Sequence, residues 1–298
     1  MGYELVHKPC PVCGTFDAVE RYPADITGVD QVSFSYSFSP AHNKLFRVVQ
    51  CKACTHVYCT PIPDQIADNY RDIVDEEYLK HSVSRRHAAD ACLAEIRRFV
   101  PKGRLLDVGC ATGDFLLSAR EMGYDAEGAE LSAWSSKIAR ERGFKIHSEL
   151  FSDMAAKCAG SYDVVTLWGV IEHFSDPAAI LKELRVLLKP GGIIALWTSD
   201  PDGACGRILG RRWWMWMGQH IQYFTYVSLG KMLENMGFTV LARMRYPYAL
   251  THETASNSLR RYWGHSVISM LVRPFFALKP VWYLSLPGEL FFIGRRAD

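Results

Sequence analysis

The stretch from Leu105 to Leu116, LLDVGCATGDFL, constrains the fold of this chain more than any other part of it. Apolar residues lead into a short turn that contains Gly109 and Gly113, and a second apolar run begins directly after the turn. This pattern is typical of a buried strand, a tight turn and the first turn of a helix. Glycine permits backbone angles and close approaches that a Cβ atom obstructs. Such a turn at the carboxyl end of a strand predicts an open α/β sheet that binds a nucleotide-like ligand.

The sequence after this turn alternates between predicted strands and helices. The predicted elements are strands at 104–109, 125–130, 145–147, 162–168 and 193–198, and helices at 114–122, 133–142 and 178–188. Because the connections are short, this order predicts a mostly parallel sheet with helices on both faces.

The residue at the end of the second predicted strand narrows the choice of ligand. Glu130 follows Gly109 by 21 residues, a spacing that suits a carboxylate that binds ribose hydroxyls. The turn reads Gly-Cys-Ala-Thr-Gly, so the GxGxxG pattern of dinucleotide-dependent dehydrogenases is absent. The turn alone is weak evidence, and its combination with Glu130 and the strand at 162–168 is much stronger.

The amino-terminal 62 residues carry a different signal. Two CxxC pairs, separated by 37 residues, provide four cysteines: Cys10, Cys13, Cys51 and Cys54. Two such pairs predict a tetrahedral zinc site with four thiolate ligands, which is structural because no coordination position stays open. Unrelated cysteines and a redox pair are the alternatives. The alternating residues 32–39 predict a strand between the pairs, and we interpret residues 1–62 as a zinc ribbon.

Charge and composition limit the partners. The chain has 298 residues and a net charge of +2, which gives no sign of a nucleic-acid partner. Apolar residues make up 49% of the chain and charged residues 22%, as in ordinary globular proteins. The first eight residues lack the apolar core of a secretory signal, so we expect a cytoplasmic location.

On the basis of these motifs, residues 104–245 resemble the class I S-adenosylmethionine-dependent methyltransferases. The resemblance rests on LLDVGCATG, GAELS, YDVVTLWGVIEHFSDP and LLKPGG. Ala111 stands where the family has a glycine. The resemblance implies a Rossmann-like, seven-stranded, mostly parallel sheet whose last strand, at 289–296, is antiparallel and follows a sixth strand at 238–245. A zinc ribbon before this domain resembles a subgroup that acts on sugars, cell-surface polysaccharides and natural products.

The resemblance also implies which residues bind S-adenosylmethionine. The turn residues hold the methionine part, Glu130 binds the ribose, the residues near 131 and 149 flank the adenine, and the backbone after the strand at 162–168 meets the methionine amine. The expected cofactor-binding residues are Asp107, Gly109, Cys110, Ala111, Gly113, Glu130, Leu131, Glu149, Leu150, Trp168 and Gly169. Plain core packing is the alternative for Trp168.

Methyl transfer is an in-line attack on a methyl group that the sulfonium already activates, so positioning provides much of the catalysis. A hydroxyl nucleophile also benefits from a base. His173 is the first candidate because it follows a strand that ends at the site and can titrate near neutral pH. Glu172 is a weaker candidate, and His220 is placed by the resemblance beside the substrate opening. Packing without a catalytic role is the alternative for both histidines.

Residues 63–101 are predicted to form a helical connector or lid, in which Tyr78, Arg85 or Arg86 could close over a ligand. Residues 102–298 then form the methyltransferase domain, with an insertion at 247–288. The tryptophans near residue 213 fit either an aromatic lid or core packing.

Within the insertion, residues 265–286 are strongly apolar but are interrupted by proline and charged residues, which disfavours a transmembrane helix. A wall of the substrate pocket, a homodimer contact and a peripheral membrane contact remain open for this segment.

These observations lead to one preferred function and two alternatives. We expect methyl transfer from S-adenosylmethionine to a small-molecule acceptor, at a hydroxyl of a sugar-like, polysaccharide or natural-product intermediate. An RNA methyltransferase that uses the zinc ribbon to bind RNA is the first alternative, and near-neutral charge counts against it. A non-catalytic zinc protein is the second, and the presence of both Asp107 and Glu130 counts against it.

Overall fold

The structure is a computed structural model that describes residues 4–37, 43–63, 66–149, 151–252, 254–255, 276–277 and 279–297. Leu150 and most of the apolar segment 265–286 therefore lie outside the described residues. Within the described ranges, no helix combines the length and the apolar character that crossing a bilayer requires.

The described strands are β1 (Leu5–Val6), β2 (Ala18–Tyr22), β3 (Val48–Cys51), β4 (Val57–Cys59), β5 (Ile62–Pro63), β6 (Arg104–Val108), β7 (Asp125–Ala129), β8 (Ile146–His147), β9 (Tyr162–Trp168), β10 (Leu188–Ser199), β11 (Gln222–Tyr223), β12 (Phe238–Met244), β13 (Tyr248–Thr251), β14 (Val281–Leu284) and β15 (Glu289–Arg296). The described α-helices are α1 (Glu76–Leu79), α2 (Ser82–Ile96), α3 (Asp114–Glu121), α4 (Ala133–Glu141), α5 (Phe151–Cys158), α6 (Pro177–Leu187), α7 (Ala204–Leu209) and α8 (Tyr226–Asn235).

The central sheet confirms the predicted fold class. Over the described chain it has seven strands in the order β12-β15-β10-β9-β6-β7-β8. The five strands from β10 to β8 are parallel, and β15 runs antiparallel to both of its neighbours. The central strands β6 and β9 are buried almost throughout, which explains their continuous apolar sequence. This register brings the ends of β6, β7 and β9 to one edge of the sheet, where a ligand binds in open α/β folds.

Local signals in the sequence begin the helices around this edge. Asp176 accepts a hydrogen bond from the Ala179 N–H and Pro177 occupies the first turn, so α6 starts one residue before its predicted start. Thr225 and Ser228 form a reciprocal capping box at the start of α8. Both helices then bury apolar faces against the sheet.

A second sheet joins the amino-terminal segment to a later part of the chain. Its described strands have the order β11-β4-β3-β2, so three strands come from the cysteine-bearing segment and one comes from residues 222–223. β4 pairs with both β3 and β11 in antiparallel fashion. The boundary that we placed at residue 62 stays a prediction, but the cysteine-bearing segment shares this sheet with the later part of the chain.

The strand predicted over residues 32–39 is wrong for its described part. Residues 32–37 are irregular, because side chains of other segments bind their backbone. The Ser35 N–H donates to Gln219 Oε1 over 3.3 Å, and the Ser37 N–H donates to Asp75 Oδ2 over 2.7 Å. Alternating polarity alone did not reveal these partners.

The connector over residues 63–101 is helical, as predicted, and contains α1 and α2. Helix α2 packs against α3 through its buried residues Ala88, Ala89, Cys92, Leu93 and Ile96.

The tryptophan-rich segment after α7 is core. Trp213 and Trp216 are almost fully buried in a cluster with apolar residues of the amino-terminal segment, among them Leu45 and Phe46. Trp216 also contacts the ring of Tyr22 edge-on, at a centroid distance of 5.1 Å. This packing favours the core interpretation over a mobile aromatic lid.

We expect Trp216→Ala to destabilise the protein by about 3–5 kcal/mol, because it removes a large buried side chain and leaves a cavity. Ile208→Ala is the matched control, since Ile208 is 82% exposed in the same region. The measurement is urea unfolding of both variants and the parent. Equal free energies of unfolding for the two variants would contradict the core assignment.

Candidate active site

The turn between β6 and α3 brings the backbone against the cleft. Gly109, Ala111 and Gly113 all have positive φ angles, of 68°, 45° and 84°. A Cβ atom on Gly109 would lie 2.6 Å from Val170 Cγ2, so this position requires glycine for space as well as for its backbone angle. Gly113 instead faces Ala139, where a Cβ atom would meet a methyl group at 3.3 Å, and it thus serves helix packing.

Glu130 lies beside this turn and is held by three donors. The Ala111 N–H donates to Oε2 over 2.9 Å, and the Ser132 N–H donates to Oε1 over 2.7 Å. The third donor is the Tyr36 hydroxyl, which reaches Oε1 over 3.1 Å from the amino-terminal segment. Burial raises the pKa of Glu130, and the backbone donors oppose this shift. The carboxylate is therefore fixed at the end of β7, where the sequence predicted a ribose ligand.

Asp107 lies deeper in the same cleft. Its Oδ1 accepts a hydrogen bond of 2.6 Å from the Thr166 hydroxyl of the neighbouring strand. Burial raises the pKa of Asp107 to about 8, and the nearby Glu130 contributes to the shift. A cation bound at this point would lower the pKa again, because it stabilises the ionised carboxyl.

One cavity of about 860 Å³ connects the two groups of predicted site residues. The predicted residues that line it are Asp107, Gly109, Cys110, Ala111, Glu130, Leu131, Glu149, Trp168, Gly169, Glu172, His173 and His220. Gly113 does not line it, and Leu150 lies outside the described residues. The structure thus collects nearly all predicted positions in one chamber, while their individual roles stay predictions.

The buried Nε1 of Trp168 has no hydrogen-bond partner within the described chain. Its ring packs against Phe115 and Phe291, at centroid distances of 5.0 and 5.4 Å. An unpaired buried donor beside a cavity fits a polar ligand such as the methionine end of S-adenosylmethionine. The glycine approach at residue 109 and the Glu130 carboxylate fit the same cofactor.

The acceptor end of the cavity holds two ionisable side chains from one 3₁₀ turn, Ile171–His173. Glu172 is only 2% exposed, and burial raises its pKa to about 7. His173 Nδ1 lies 2.6 Å from the Tyr70 hydroxyl oxygen and 2.8 Å from the Gln219 carbonyl oxygen. Burial lowers the pKa of His173 to about 4, so its imidazole is neutral at pH 7.

His220 completes this group from the segment before β11. It is buried, and its Nδ1 lies 3.1 Å from the Met215 carbonyl oxygen. Its ring lies 4.8 Å from that of His173, in an edge-on arrangement. The two histidines, distant in sequence, therefore meet at the wall of the cavity.

Aromatic rings form another wall of the chamber. Tyr246 packs against Trp197 at a centroid distance of 4.6 Å and against Tyr248 at 5.0 Å. Glu289 supports this wall by accepting a 2.6 Å hydrogen bond from the Trp197 Nε1–H. Because Tyr248 belongs to β13, the first part of the insertion at 247–288 lines the cavity. The three interpretations of residues 265–286 stay predictions, since most of that segment lies outside the described residues.

The connector also reaches the cavity, as predicted for two of its three candidates. Tyr78 and Arg85 line the cavity, and the guanidinium lies 3.4 Å from the centroid of the tyrosine ring. Arg85 Nε donates to Asp114 Oδ2 over 2.8 Å at the start of α3. Arg86 instead pairs with Glu121 on the outer surface.

Several lining residues escaped the sequence analysis. Tyr36, Tyr70 and Gln219 line the cavity but lie far from the recognised motifs. Glu289, at the start of β15, accepts a hydrogen bond from the lining residue Trp197. No local spacing relates these residues to the turn at 109–113. Only the chain topology brings them to the cavity.

The four cysteines of the amino-terminal segment form a compact group apart from this chamber. Cys10 Sγ lies 3.4 Å from Cys54 Sγ, and Cys13 Sγ lies 3.5 Å from Cys51 Sγ. All four sulfur atoms lie within 4.8 Å of one another, which fits a tetrahedral zinc site of four thiolates. The structure therefore brings together the predicted metal ligands Cys10, Cys13, Cys51 and Cys54.

We expect Gly109→Ala to weaken S-adenosylhomocysteine binding by about tenfold or more, or about 1.4 kcal/mol, because the added methyl group meets Val170 and strains the turn. Gly123→Ala is the matched control: Gly123 also has a positive φ, but a Cβ atom there meets nothing within 4 Å. Titration calorimetry of the two folded variants makes the comparison. Equal dissociation constants would remove the turn from the cofactor site.

A further prediction concerns the pH dependence of stability. Burial raises the pKa of Glu289 from 4.5 to about 8, so the unfolded chain releases this proton at lower pH than the folded protein does. Stability is therefore lost as pH rises from about 4.5 to about 8. Glu289→Gln removes this loss, and we expect the variant's unfolding free energy relative to the parent to increase between pH 5 and pH 9. Parallel pH profiles would show that Glu289 is ionised in the folded protein.

Comparisons with known proteins agree with this geometry. A family model described as a methyltransferase domain matches residues 84–243, more than half of the chain. The ubiquinone biosynthesis O-methyltransferase of Xanthomonas axonopodis pv. citri (strain 306) is 39% identical over 110 residues, which cover 35% of this chain and 46% of that enzyme. The chain thus spans less than half the length of the curated relatives it matches.

Two solved structures support the fold. A methyltransferase of Archaeoglobus fulgidus has a TM-score of 0.52 at 18% identity, covering 74% of this chain and 100% of its own. The 1,6-didemethyltoxoflavin-N1-methyltransferase of Burkholderia thailandensis, solved with its substrate and S-adenosylhomocysteine, has a TM-score of 0.51 at 14% identity, covering 84% and 99%. Together with the matching family model, the fold shows that this chain belongs to the methyltransferase domain family, as a class I S-adenosylmethionine-dependent methyltransferase.

Proposed function

We propose that this protein transfers the methyl group of S-adenosylmethionine to a hydroxyl of a small molecule. The observation that carries the proposal is the shared cavity. It runs from Asp107 and Glu130, which we expect to bind the cofactor, to Glu172, His173 and His220. Donor and acceptor can therefore meet in one enclosed space, as an in-line transfer requires.

The predicted cofactor residues have consistent positions in this proposal. Glu130 binds the ribose hydroxyls. The Tyr36 hydroxyl donates to the same carboxylate, as a ribose hydroxyl would. Leu131 and Glu149 lie on the adenine side, while the Gly169 backbone and Trp168 lie on the methionine side. When it is bound, the cofactor provides an electrophilic methyl group. The chain orients it and excludes water from the cavity.

The acceptor group then needs to lose a proton as its oxygen attacks. In the transfer the new O–C bond forms as the S–C bond breaks, and the electron pair of that bond stays on sulfur. His173 is our first candidate base, since its imidazole is neutral at pH 7 and can accept the proton. Glu172 and His220 lie beside it and are the further candidates for the base.

The shape of the chamber favours an acceptor that contains a ring. Trp197, Tyr246 and Tyr248 present flat apolar surfaces on which an aromatic or sugar-like ring can pack. The name of the Xanthomonas relative refers to O-methylation in ubiquinone biosynthesis, and the Burkholderia protein was solved with a small heterocyclic substrate. Both support a small-molecule acceptor. Within that class we propose a natural-product or sugar-like intermediate.

The zinc ribbon has a structural explanation that does not require RNA. β4 is paired on both sides, and the buried His56 bridges to Gln222 and Ser228 with contacts of 3.1 and 3.3 Å. These contacts join the zinc ribbon to β11 and α8, next to His220. A cytoplasmic location, a homodimer and a peripheral membrane contact stay predictions from the sequence.

The direct test is to incubate the protein with methyl-labelled S-adenosylmethionine and a cell extract, and to identify labelled products by mass spectrometry. We expect label on the oxygen of a small ring-bearing metabolite. Label confined to the RNA fraction would contradict the proposal, and so would cofactor binding without any labelled product.

We expect His173→Ala to lower turnover by about tenfold or more, because the acceptor loses its nearest neutral base. S-adenosylhomocysteine affinity should stay within about twofold, since the imidazole lies at the acceptor end, and calorimetry checks this. His147→Gln serves as the control: His147 lies on the adenine side, so its effect should appear in cofactor affinity first. Unchanged turnover in His173→Ala would exclude it as the base.

A further inference from the structure

Beyond the cysteine site, we propose that Glu172, His173 and His220 form a second metal site, which binds a divalent transition-metal ion at the acceptor end of the cavity. The site's existence is independent of the acceptor's identity. Its role, to bind and orient the acceptor hydroxyl, rests on the proposed function.

The three side chains converge although they come from two separate segments. Each offers one ligand atom, and these three atoms lie within 4.8 Å of one another. Glu172 and His220 are buried, and His173 lines the cavity beside them. Two imidazoles and one carboxylate, with further positions open to a ligand, are a donor set that iron, manganese, cobalt and zinc ions accept.

Glu172 provides the second observation. Its Oε2 atom is buried and has no hydrogen-bond partner in the described chain. The residue as a whole is only 2% exposed. Buried carboxylate oxygens are normally satisfied, because an unpaired one loses its hydration without compensation. A bound cation would satisfy this oxygen. The nearby Thr198 hydroxyl lowers the pKa of Glu172, but it makes no hydrogen bond to Oε2.

The surroundings of both histidines also suit metal binding. His173 Nδ1 contacts the Gln219 carbonyl oxygen, and His220 Nδ1 contacts the Met215 carbonyl oxygen. In metal sites, a carbonyl on one ring nitrogen fixes the tautomer and turns the other nitrogen to the ion. The Tyr70 hydroxyl lies 2.6 Å from the same Nδ1 of His173, and it would further fix the ring.

The open face of this group looks into the cavity, where the acceptor lies. An ion there would coordinate the acceptor oxygen and lower the pKa of its hydroxyl. The ion would then activate the nucleophile, and the three side chains would act by holding the ion. With the ion bound, His173 is a ligand rather than the base. An acceptor with two neighbouring oxygens would bind best, because both can reach one ion.

Mn²⁺ is the probe, because it leaves the thiolate site to zinc. The protein is first loaded with one equivalent of zinc, which the four thiolates bind in preference to the mixed nitrogen and oxygen site, and Mn²⁺ is then titrated while free Mn²⁺ is followed by electron paramagnetic resonance. We expect one Mn²⁺ ion per chain in the parent. Glu172→Gln and His220→Gln should each weaken binding by about tenfold or more.

Glu183→Gln is the matched control, since Glu183 lines the same cavity outside the three-residue group. Its Mn²⁺ affinity should equal that of the parent. Circular dichroism and S-adenosylhomocysteine binding confirm that each variant is folded, and the near-isosteric Glu172→Gln keeps the test valid if a histidine variant does not fold. Absence of Mn²⁺ binding to the parent at millimolar concentration would overturn the proposal, and so would equal affinity in all variants.

The two proposals fail in different ways. Methyl transfer that proceeds in the protein loaded with one equivalent of zinc, without any Mn²⁺ binding, leaves the proposed function intact and removes the second metal site. Mn²⁺ binding that depends on Glu172, without any methylated product from the extract, supports the metal site and contradicts the proposed function.

Discussion

The acceptor end of the cavity depends on the backbone of Ile221. Its N–H donates to the Glu172 carbonyl oxygen over 3.0 Å, while its own carbonyl oxygen accepts from the Cys59 N–H over 2.9 Å. One residue therefore joins the turn after β9 to the cysteine-bearing sheet. His220 precedes this junction, and Gln222 follows it in contact with His56. The positions of the acceptor side chains are thus set by an amino-terminal segment that contributes none of the methyltransferase motifs. The zinc ribbon acts as part of the active-site framework, because loss of its fold would release β11 and His220 together.

Buried acids give the cavity its electrostatic character. The chain as a whole is nearly neutral, with a net charge of +2. Burial nevertheless raises the pKa of Asp107 to about 8 and that of Glu172 to about 7. These shifts mean that ionising the acids in the empty cavity is unfavourable, since water is excluded. A cationic ligand reverses this preference. The sulfonium and ammonium groups of S-adenosylmethionine are such cations, and a metal ion beside Glu172 would act in the same way. The cavity therefore favours cationic ligands at both ends, although the net charge of the chain does not indicate this preference.

The sequence was most informative where local chemistry dictates structure. The turn at 109–113 and the acid at the end of β7 predicted a cleft at the ends of the parallel strands, and a cavity lies there, because a positive-φ glycine and a strand end have local signatures. Four cysteines in two pairs likewise predicted a compact sulfur cluster. The alternating residues 32–37 misled, since their backbone partners are the side chains of Gln219 and Asp75 rather than another strand. The chain topology brings such distant partners together, and the spacing of residues along the sequence does not reveal them.

The same limitation explains why the acceptor is harder to infer than the donor. Cofactor contacts come from short segments at the ends of consecutive strands, whose geometry repeats in open α/β sheets. The acceptor wall combines Tyr70 of the connector, Tyr248 of the insertion and His220 before β11. These three segments are separate additions to the central sheet, so each can change without disturbing the cofactor cleft. The amino-terminal segment contacts both parts, through Tyr36 on Glu130 and through β4 on β11. If the ribose binds Glu130 as proposed, it would compete with the Tyr36 hydroxyl for Oε1. The amino-terminal segment would then contact the donor as well as the strand that follows His220.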